Sequence, residues 1–323
     1  MRSVRFEEFG SPKKVLDVVE IEKPEPGPGQ VRVKLSMSPI HNHDLMTIAG
    51  LYGIRPALPA VPGTEAVGVV DAIGEGVTGL GVGQRVVGGN QTWAEYYLLE
   101  AARAIPVPDA IPDEIACQMI SMPLSALMLI DFFEAGPGDW IIQNAANGAV
   151  GKMLAQFGAE RGVNVVSLVR RAEALAEMEQ AGLANVVSTD TEGWQDQVRA
   201  IVKYAPLLRG LDSVGGRSSD EMLALLSDGG TLVAFGAMSG RPLQVTPNHL
   251  LFGNKSVKGF WLYRLLQTAD RERVGQLIGE LIGKAARGEL KLPVGGAFDI
   301  ADIRQAAIAS NTAGRKGKIL LTA

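Results

Sequence analysis

The sequence predicts an α/β protein in which a doubly wound parallel sheet is joined to a smaller β-rich domain. Three observations carry that expectation. A strand-like run at 139–142 leads through a turn of small residues into a helical pattern at 152–158. From about Pro112 onward, strand-like and helix-like segments alternate, the signature of a parallel sheet covered by helices. Residues 1–110 instead hold short β-forming runs punctuated by glycine and proline, which points to a compact barrel-like domain.

The elements follow in order. Residues 15–21 and 31–35 cluster β-formers around the linker Lys23-Pro24-Glu25-Pro26-Gly27-Pro28-Gly29. Its prolines exclude a continuous helix or a central strand. Residues 66–74 and 85–87 are further strands, and Trp93, Tyr96 and Tyr97 suit another. A long apolar helix is expected over 114–133. Strands are then expected at 139–143, 164–169, 185–188, 211–214 and 231–235, with helices at 149–161, 172–181, 193–203 and 218–227 between them. A strand at 257–261, a helix near 270–287 and a final helix and strand ending at Leu321 complete the chain. The expected domains are 113–255 for the parallel sheet and 1–112 with 256–323 for the β-rich domain, the first inserted into the second.

The turn Ala146-Asn147-Gly148-Ala149-Val150-Gly151 has the A-x-G-x-x-G spelling of a dinucleotide fingerprint. Small residues let the backbone approach a pyrophosphate, and the helix N-terminus offers N–H donors and the positive end of its dipole. Asn147, Gly148, Ala149, Val150 and Gly151 are therefore candidate cofactor contacts. The next strand decides between cofactors. A preference for NAD usually shows as an acid about 20 residues on, which bonds the ribose 2′-OH. Here the strand ends in Arg170-Arg171. An acid would repel a 2′-phosphate, whereas arginine grips it through charge-assisted bonds, so NADPH is expected.

Bulk properties remove other classes. The chain has 323 residues, a net charge of −4 and one cysteine, Cys117. The acidic balance leaves no footprint for nucleic acid, and one cysteine excludes a disulfide framework. No apolar run approaches the ~18 residues of a membrane span. The start, Met1-Arg2-Ser3-Val4-Arg5-Phe6, lacks an apolar signal core, and a cytoplasmic protein is expected.

The domain order and the fingerprint resemble the medium-chain dehydrogenase/reductase superfamily over nearly the whole chain. The resemblance implies a GroES-like β-barrel domain and a Rossmann sheet. Many members hold catalytic zinc on a cysteine, a Gly-His-Glu histidine and a further cysteine or aspartate. Here that segment is Gly63-Thr64-Glu65, the structural-zinc cysteines are absent, and His41 stands in the first cysteine's place. His41, His43, Asp44 and Glu65 are the remaining potential ligands, but without thiolates no metal is expected. Within the superfamily, Gly50-Leu51-Tyr52-Gly53 with Leu58 to Glu65 is similar to the substrate loop of zinc-free quinone reductases and 2-enoyl thioester reductases. Asn144-Ala145-Ala146-Asn147, Phe235-Gly236-Ala237-Met238-Ser239 and Gly259-Phe260-Trp261-Leu262 look more like the enoyl reductases.

The resemblance implies Tyr52 as the catalytic residue. It implies Phe235, Gly236, Ala237, Met238, Phe260, Trp261, Leu262 and Lys318 as further cofactor contacts. His41 and Asn42 replace the family's Asn-Pro and are read as the substrate pocket. It also implies a homodimer paired along 257–261. Hydride transfer to the β-carbon of an enoyl thioester pushes charge onto the carbonyl oxygen, which needs a donor where that charge develops. A free tyrosine hydroxyl titrates near ~10 and is protonated at neutral pH. Two alternatives stand beside this expectation. One is a zinc-free NADPH:quinone oxidoreductase, and the other is an NADPH-binding, crystallin-like protein with little catalysis.

Overall fold

The computed structural model describes residues 1–312 and 314–323. The chain forms two units, Met1–Ser121 with Ile278–Ala323, and Met122–Leu277. The strands in chain order are β1 (Arg2–Arg5), β2 (Asp17–Glu20), β3 (Gln30–Pro39), β4 (Val67–Ile73), β5 (Arg85–Val87), β6 (Tyr96–Glu100) and β7 (Ile105–Pro106). Next come β8 (Trp140–Gln143), β9 (Asn164–Val169), β10 (Val186–Ser188), β11 (Arg209–Asp212), β12 (Thr231–Ala234) and β13 (Ser256–Gly259). The first unit closes with β14 (Val294–Asp299) and β15 (Lys318–Thr322).

In the first unit, β1 and β2 pair antiparallel, and a larger sheet runs β14-β15-β3-β4-β5-β7, with β6 also on β3. β3 is the spine of that sheet. Its Val31, Val33 and Leu35 recur at the two-residue period of one strand face. They enter a core with Phe6, Trp93, Ile319 and Leu321. Each fully buried side chain of this size contributes roughly 1.5–3 kcal/mol. β14 is absent from the expected elements because Gly295 and Gly296 dilute its apolar pattern. Both glycines are required: a Cβ on Gly295 would lie 2.8 Å from the Lys316 carbonyl oxygen, and Gly296 has φ +151°.

The second unit is a parallel sheet of order β10-β9-β8-β11-β12-β13. β9 is buried along almost its whole length, as a strand covered on both faces must be. Ile142, Val166, Leu168 and Leu232 form the core beneath the helices together with Met222 and Leu223. Strand order reverses between β8 and β11, and in such sheets the crevice outside the carboxyl ends at the reversal is where ligands bind.

Two features differ from the sequence expectation. The helix expected over 114–133 is broken into Asp113–Ala116 and Ser121–Phe132. The Ile120 and Ser121 amides bond the Glu65 carboxylate at the break, at 2.7 and 3.2 Å. The divisions between units fall after Ser121 and Leu277, where the sequence placed them after 112 and 255. The later shift has a plain cause: Ser256–Gly259 pairs in parallel with Thr231–Ala234, so β13 satisfies its backbone in the second unit's sheet. Among the described residues no helix is long and apolar enough to cross a membrane.

Candidate active site

The crevice at the strand reversal is built at the carboxyl ends of β8, β9 and β11. Gln143 ends β8 fully buried, and its amide nitrogen donates to the Gly151 carbonyl at 2.8 Å and to Ser167 Oγ at 3.1 Å. That clamp fixes the first turn of the helix Ala149–Glu160 over the strand. Ala146, in the first glycine slot, is wholly buried and its amide donates to the Leu168 carbonyl at 3.1 Å. A Cβ on Gly151 would lie 2.6 Å from the Ala146 carbonyl oxygen, so only glycine permits this close packing of turn and helix. Asn147, Gly148 and Ala149 are exposed at the turn, while Val150 is buried and supports it. Gly148 is the N-cap of the helix, and no side chain caps it, so its first N–H groups are offered outward.

Arg170 and Arg171 follow β9 and are exposed. Neither forms an ion pair among the described residues, whereas Lys152 on the neighbouring helix is paired with Glu177 at 2.5 Å. Two unneutralised guanidiniums near this turn are of the kind that suits a phosphate group.

One network went unrecognised in the sequence. Asp212, at the end of β11, is fully buried. Its carboxylate accepts from Asn144 Nδ2 at 2.6 Å, from the Val214 and Gly215 amides at 2.9 Å and from Ser219 Oγ at 2.5 Å. Asn144 Oδ1 in return accepts the Ser213 amide at 2.7 Å. The two strand ends at the reversal are thereby locked together. Gly215 and Gly216, at φ +77° and +64°, let the loop wrap the carboxylate. The signal was an aspartate closing an apolar strand just before Ser213-Val214-Gly215-Gly216.

At the ends of β12 and β13, Phe235 and Gly236 are half-buried, while Ala237 and Met238 are exposed. Phe260 is 5% exposed and packs its ring on Phe132 and Phe235 at 5.5 and 5.8 Å. Its ring is packing beneath the loop. Trp261 and Leu262 are half-buried beside it, with Trp261 against Tyr263 at 5.3 Å.

The first unit carries the polar cluster. Strand β3 ends at Pro39, His41 caps the helix Asn42–Ile48, and Asp44 Oδ2 accepts the His41 amide at 2.8 Å. Gly50, at φ +72°, then reverses the chain, so that the Tyr52 ring stacks on His43 at 5.7 Å. His43 stacks in turn on His41 at 4.9 Å. His41 and Glu65 are 0% and 2% exposed and share a 2.8 Å bond through Nε2 and Oε2. Thr64 Oγ1 bonds His43 Nε2 at 2.7 Å and donates to Asp44 Oδ1 at 2.8 Å.

Burial, more than any neighbour, sets the charges here. It raises the Glu65 carboxyl from 4.5 to about 7, against the two backbone bonds that pull it down. It holds His41 well below 6.5, with Lys318 and His43 adding to the effect. Lys318 is half-buried at the start of β15, and desolvation lowers it to about 8.

His41 was expected in the substrate pocket and is instead sealed in the core, a correction that follows from its bond to Glu65. Asn42 is exposed, with its amide toward Met46 Sδ at 3.6 Å. The potential metal ligands bond one another. Among the described residues no three His, Cys, Asp or Glu side chains are grouped to hold an ion. Cys117 is buried, and burial pushes its thiol up.

Known proteins resemble this arrangement along the whole chain. The family described as alcohol dehydrogenase GroES-like domain matches residues 27–109, and that described as zinc-binding dehydrogenase matches 149–280. A mitochondrial enoyl-[acyl-carrier-protein] reductase of Bos taurus is 34% identical over 91% of this chain and 81% of its own. The structure of a putative NADPH:quinone reductase from Bacillus thuringiensis superposes with a TM-score of 0.93 at 27% identity, covering 100% of this chain and 98% of that one. A mutant enoyl thioester reductase from Candida tropicalis superposes at 0.85 with 25% identity, covering 100% and 99%.

The relatives overturn the cytoplasmic expectation, since the enoyl reductases matched are mitochondrial proteins. The physical reason is that a missing apolar core argues only against a secretory signal. Mitochondrial transit segments are amphipathic and basic and have no such core.

Proposed function

Because the chain belongs to the medium-chain dehydrogenase/reductase superfamily, we propose that it reduces the activated C=C bond of a 2-enoyl thioester, with Tyr52 as donor to the developing enolate. It is an oxidoreductase of the NADPH type. The residues present fit that cofactor: Asn147, Gly148 and Ala149 are exposed before a helix start that no side chain caps, and Arg170 and Arg171 carry unneutralised charge for a 2′-phosphate.

Bound NADPH supplies the hydride. The chain's own residues do the rest. The exposed turn Asn147–Ala149 and the helix start behind it hold the pyrophosphate. Arg170 and Arg171 grip the 2′-phosphate. Asp212 and Asn144 keep the crevice in one shape before anything binds, which spares reorganisation during reaction. Tyr52 Oη donates to the thioester carbonyl oxygen as negative charge grows there, or passes its proton to the α-carbon, directly or through water. A second copy of the chain pairs along the free outer edge of β13.

The observation that carries this reading is the anchored Tyr52. Its ring rests on a stack fixed in the core, the arrangement a placed proton donor requires. The enoyl reductases among the relatives support it. A second reading, reduction of a quinone, is favoured by the close superposition on a quinone reductase; it needs no tyrosine donor. Tyr52→Phe separates the two. The enoyl reading expects turnover to fall by at least ~100-fold, the usual worth of a positioned acid, with NADPH affinity unchanged. Unaltered kcat removes Tyr52 from the chemistry.

A further inference from the structure

We propose that His43 is the positioning residue for Tyr52, fixing the ring through a column of three stacked rings rooted in the core of the first unit. The inference rests on the catalytic reading of Tyr52 and names what holds it in place.

Tyr52 lies in a loop between Leu51 and Ile54, without helix or strand to fix it. A loop side chain with two rotatable bonds places its hydroxyl poorly unless packing locks the ring. Here the lock is visible. The His43 ring lies 27° from parallel to Tyr52 and 18° from parallel to His41, at 5.7 and 4.9 Å. The column grades from the core outward. His41 is 0% exposed and the His43 side chain is 20% exposed, and Tyr52 is half-buried.

Each histidine is held from turning. His41 Nε2 is tied to Glu65, whose other oxygen takes the Ile120 and Ser121 amides. His43 Nε2 meets Thr64 Oγ1 at 2.7 Å. The single proton of Thr64 already goes to Asp44 Oδ1, so Thr64 accepts and His43 Nε2–H donates. That bond fixes both the tautomer and the plane of the middle ring. Asp44 in turn accepts the His41 amide. The two histidines are therefore braced through one carboxylate, and the middle ring cannot tilt without breaking its partly buried bond to Thr64.

The two contributions of His43, ring and hydrogen bond, are separable. His43→Phe keeps a ring between His41 and Tyr52 and loses the bond to Thr64. His43→Gln keeps a donor for Thr64 and loses the ring. Stacked pairs add modest energy, but a small misplacement of a reacting group costs far more in rate. The expected loss of kcat in His43→Gln is thus about 10- to 100-fold, while His43→Phe stays within about 3-fold of wild type.

The test measures kcat with crotonyl-CoA, NADPH affinity by fluorescence titration, and thermal midpoint. It covers both variants in the wild-type and Tyr52→Phe backgrounds. If His43 acts through the tyrosine hydroxyl, His43→Gln changes the Tyr52→Phe rate by less than about 2-fold, and NADPH affinity stays constant throughout. An equal loss in both backgrounds, or His43→Phe as slow as His43→Gln, overturns the positioning role and leaves Tyr52 catalytic. A wild-type rate for Tyr52→Phe alone overturns the catalytic reading and the inference with it.

Discussion

Glu65→Gln keeps the size of the side chain that braces His41 and removes its titration. In the fold burial raises this carboxyl from 4.5 to about 7. The unfolded chain releases the proton near 4.5 and the folded chain near 7. Between those values the folded state binds more protons, so stability falls as pH rises. The contribution of Glu65 is complete below 4.5 and is lost as pH passes 7. At 1.36 kcal/mol for each pK unit, that rise is worth roughly 3 kcal/mol. Glutamine carries no such loss. Urea unfolding of both proteins, from about pH 5 to about pH 8, should show the variant gaining on the wild type by up to roughly 3 kcal/mol. His41 is present in both proteins, and burial holds it uncharged well below 6.5, so its own titration largely cancels from the comparison. A difference that does not change with pH would mean that Glu65 ionises in the fold as it does in water, and the reasoning would fail.

Two further outcomes are expected in the nucleotide crevice. Replacing Arg170 and Arg171 together with alanine should weaken NADPH by about 100-fold or more, at roughly 1.5–3 kcal/mol for each of the two lost charged contacts, and leave NADH nearly untouched. Calorimetry with both nucleotides checks this, and equal losses would assign the arginines to general surface charge. Gly151→Ala forces a methyl to within 2.6 Å of the Ala146 carbonyl oxygen. That strain should lower stability by about 1–3 kcal/mol and weaken nucleotide binding by shifting the turn. Wild-type midpoint and affinity would show that the turn has slack.

Local pattern made the second unit legible. The continuous apolar runs of β8 and β9, the small residues at 146–151 and the arginines at 170–171 all lie close together in sequence. The element order of that unit could be read before any contact was known. What stayed hidden depends on residues far apart. Glu65 breaks the helix expected over 114–133 by taking the Ile120 and Ser121 amides, and no periodicity reports such a bond. β14 was masked by glycines whose necessity appears only beside Lys316. The packing of the Phe260 ring against Phe132 and Phe235 joins residues far apart in sequence. His41, His43 and Glu65 were noticed as possible ligands. Only their distances show a His41–Glu65 bond and a column of rings from His41 through His43 to Tyr52.

The most direct test of the central claim is NADPH oxidation followed in parallel with crotonyl-CoA, a longer enoyl-CoA and a quinone. The enoyl thioester reading expects robust turnover of the enoyl-CoAs, lost in Tyr52→Phe, and weak turnover of the quinone. Robust quinone reduction with no enoyl activity would contradict it.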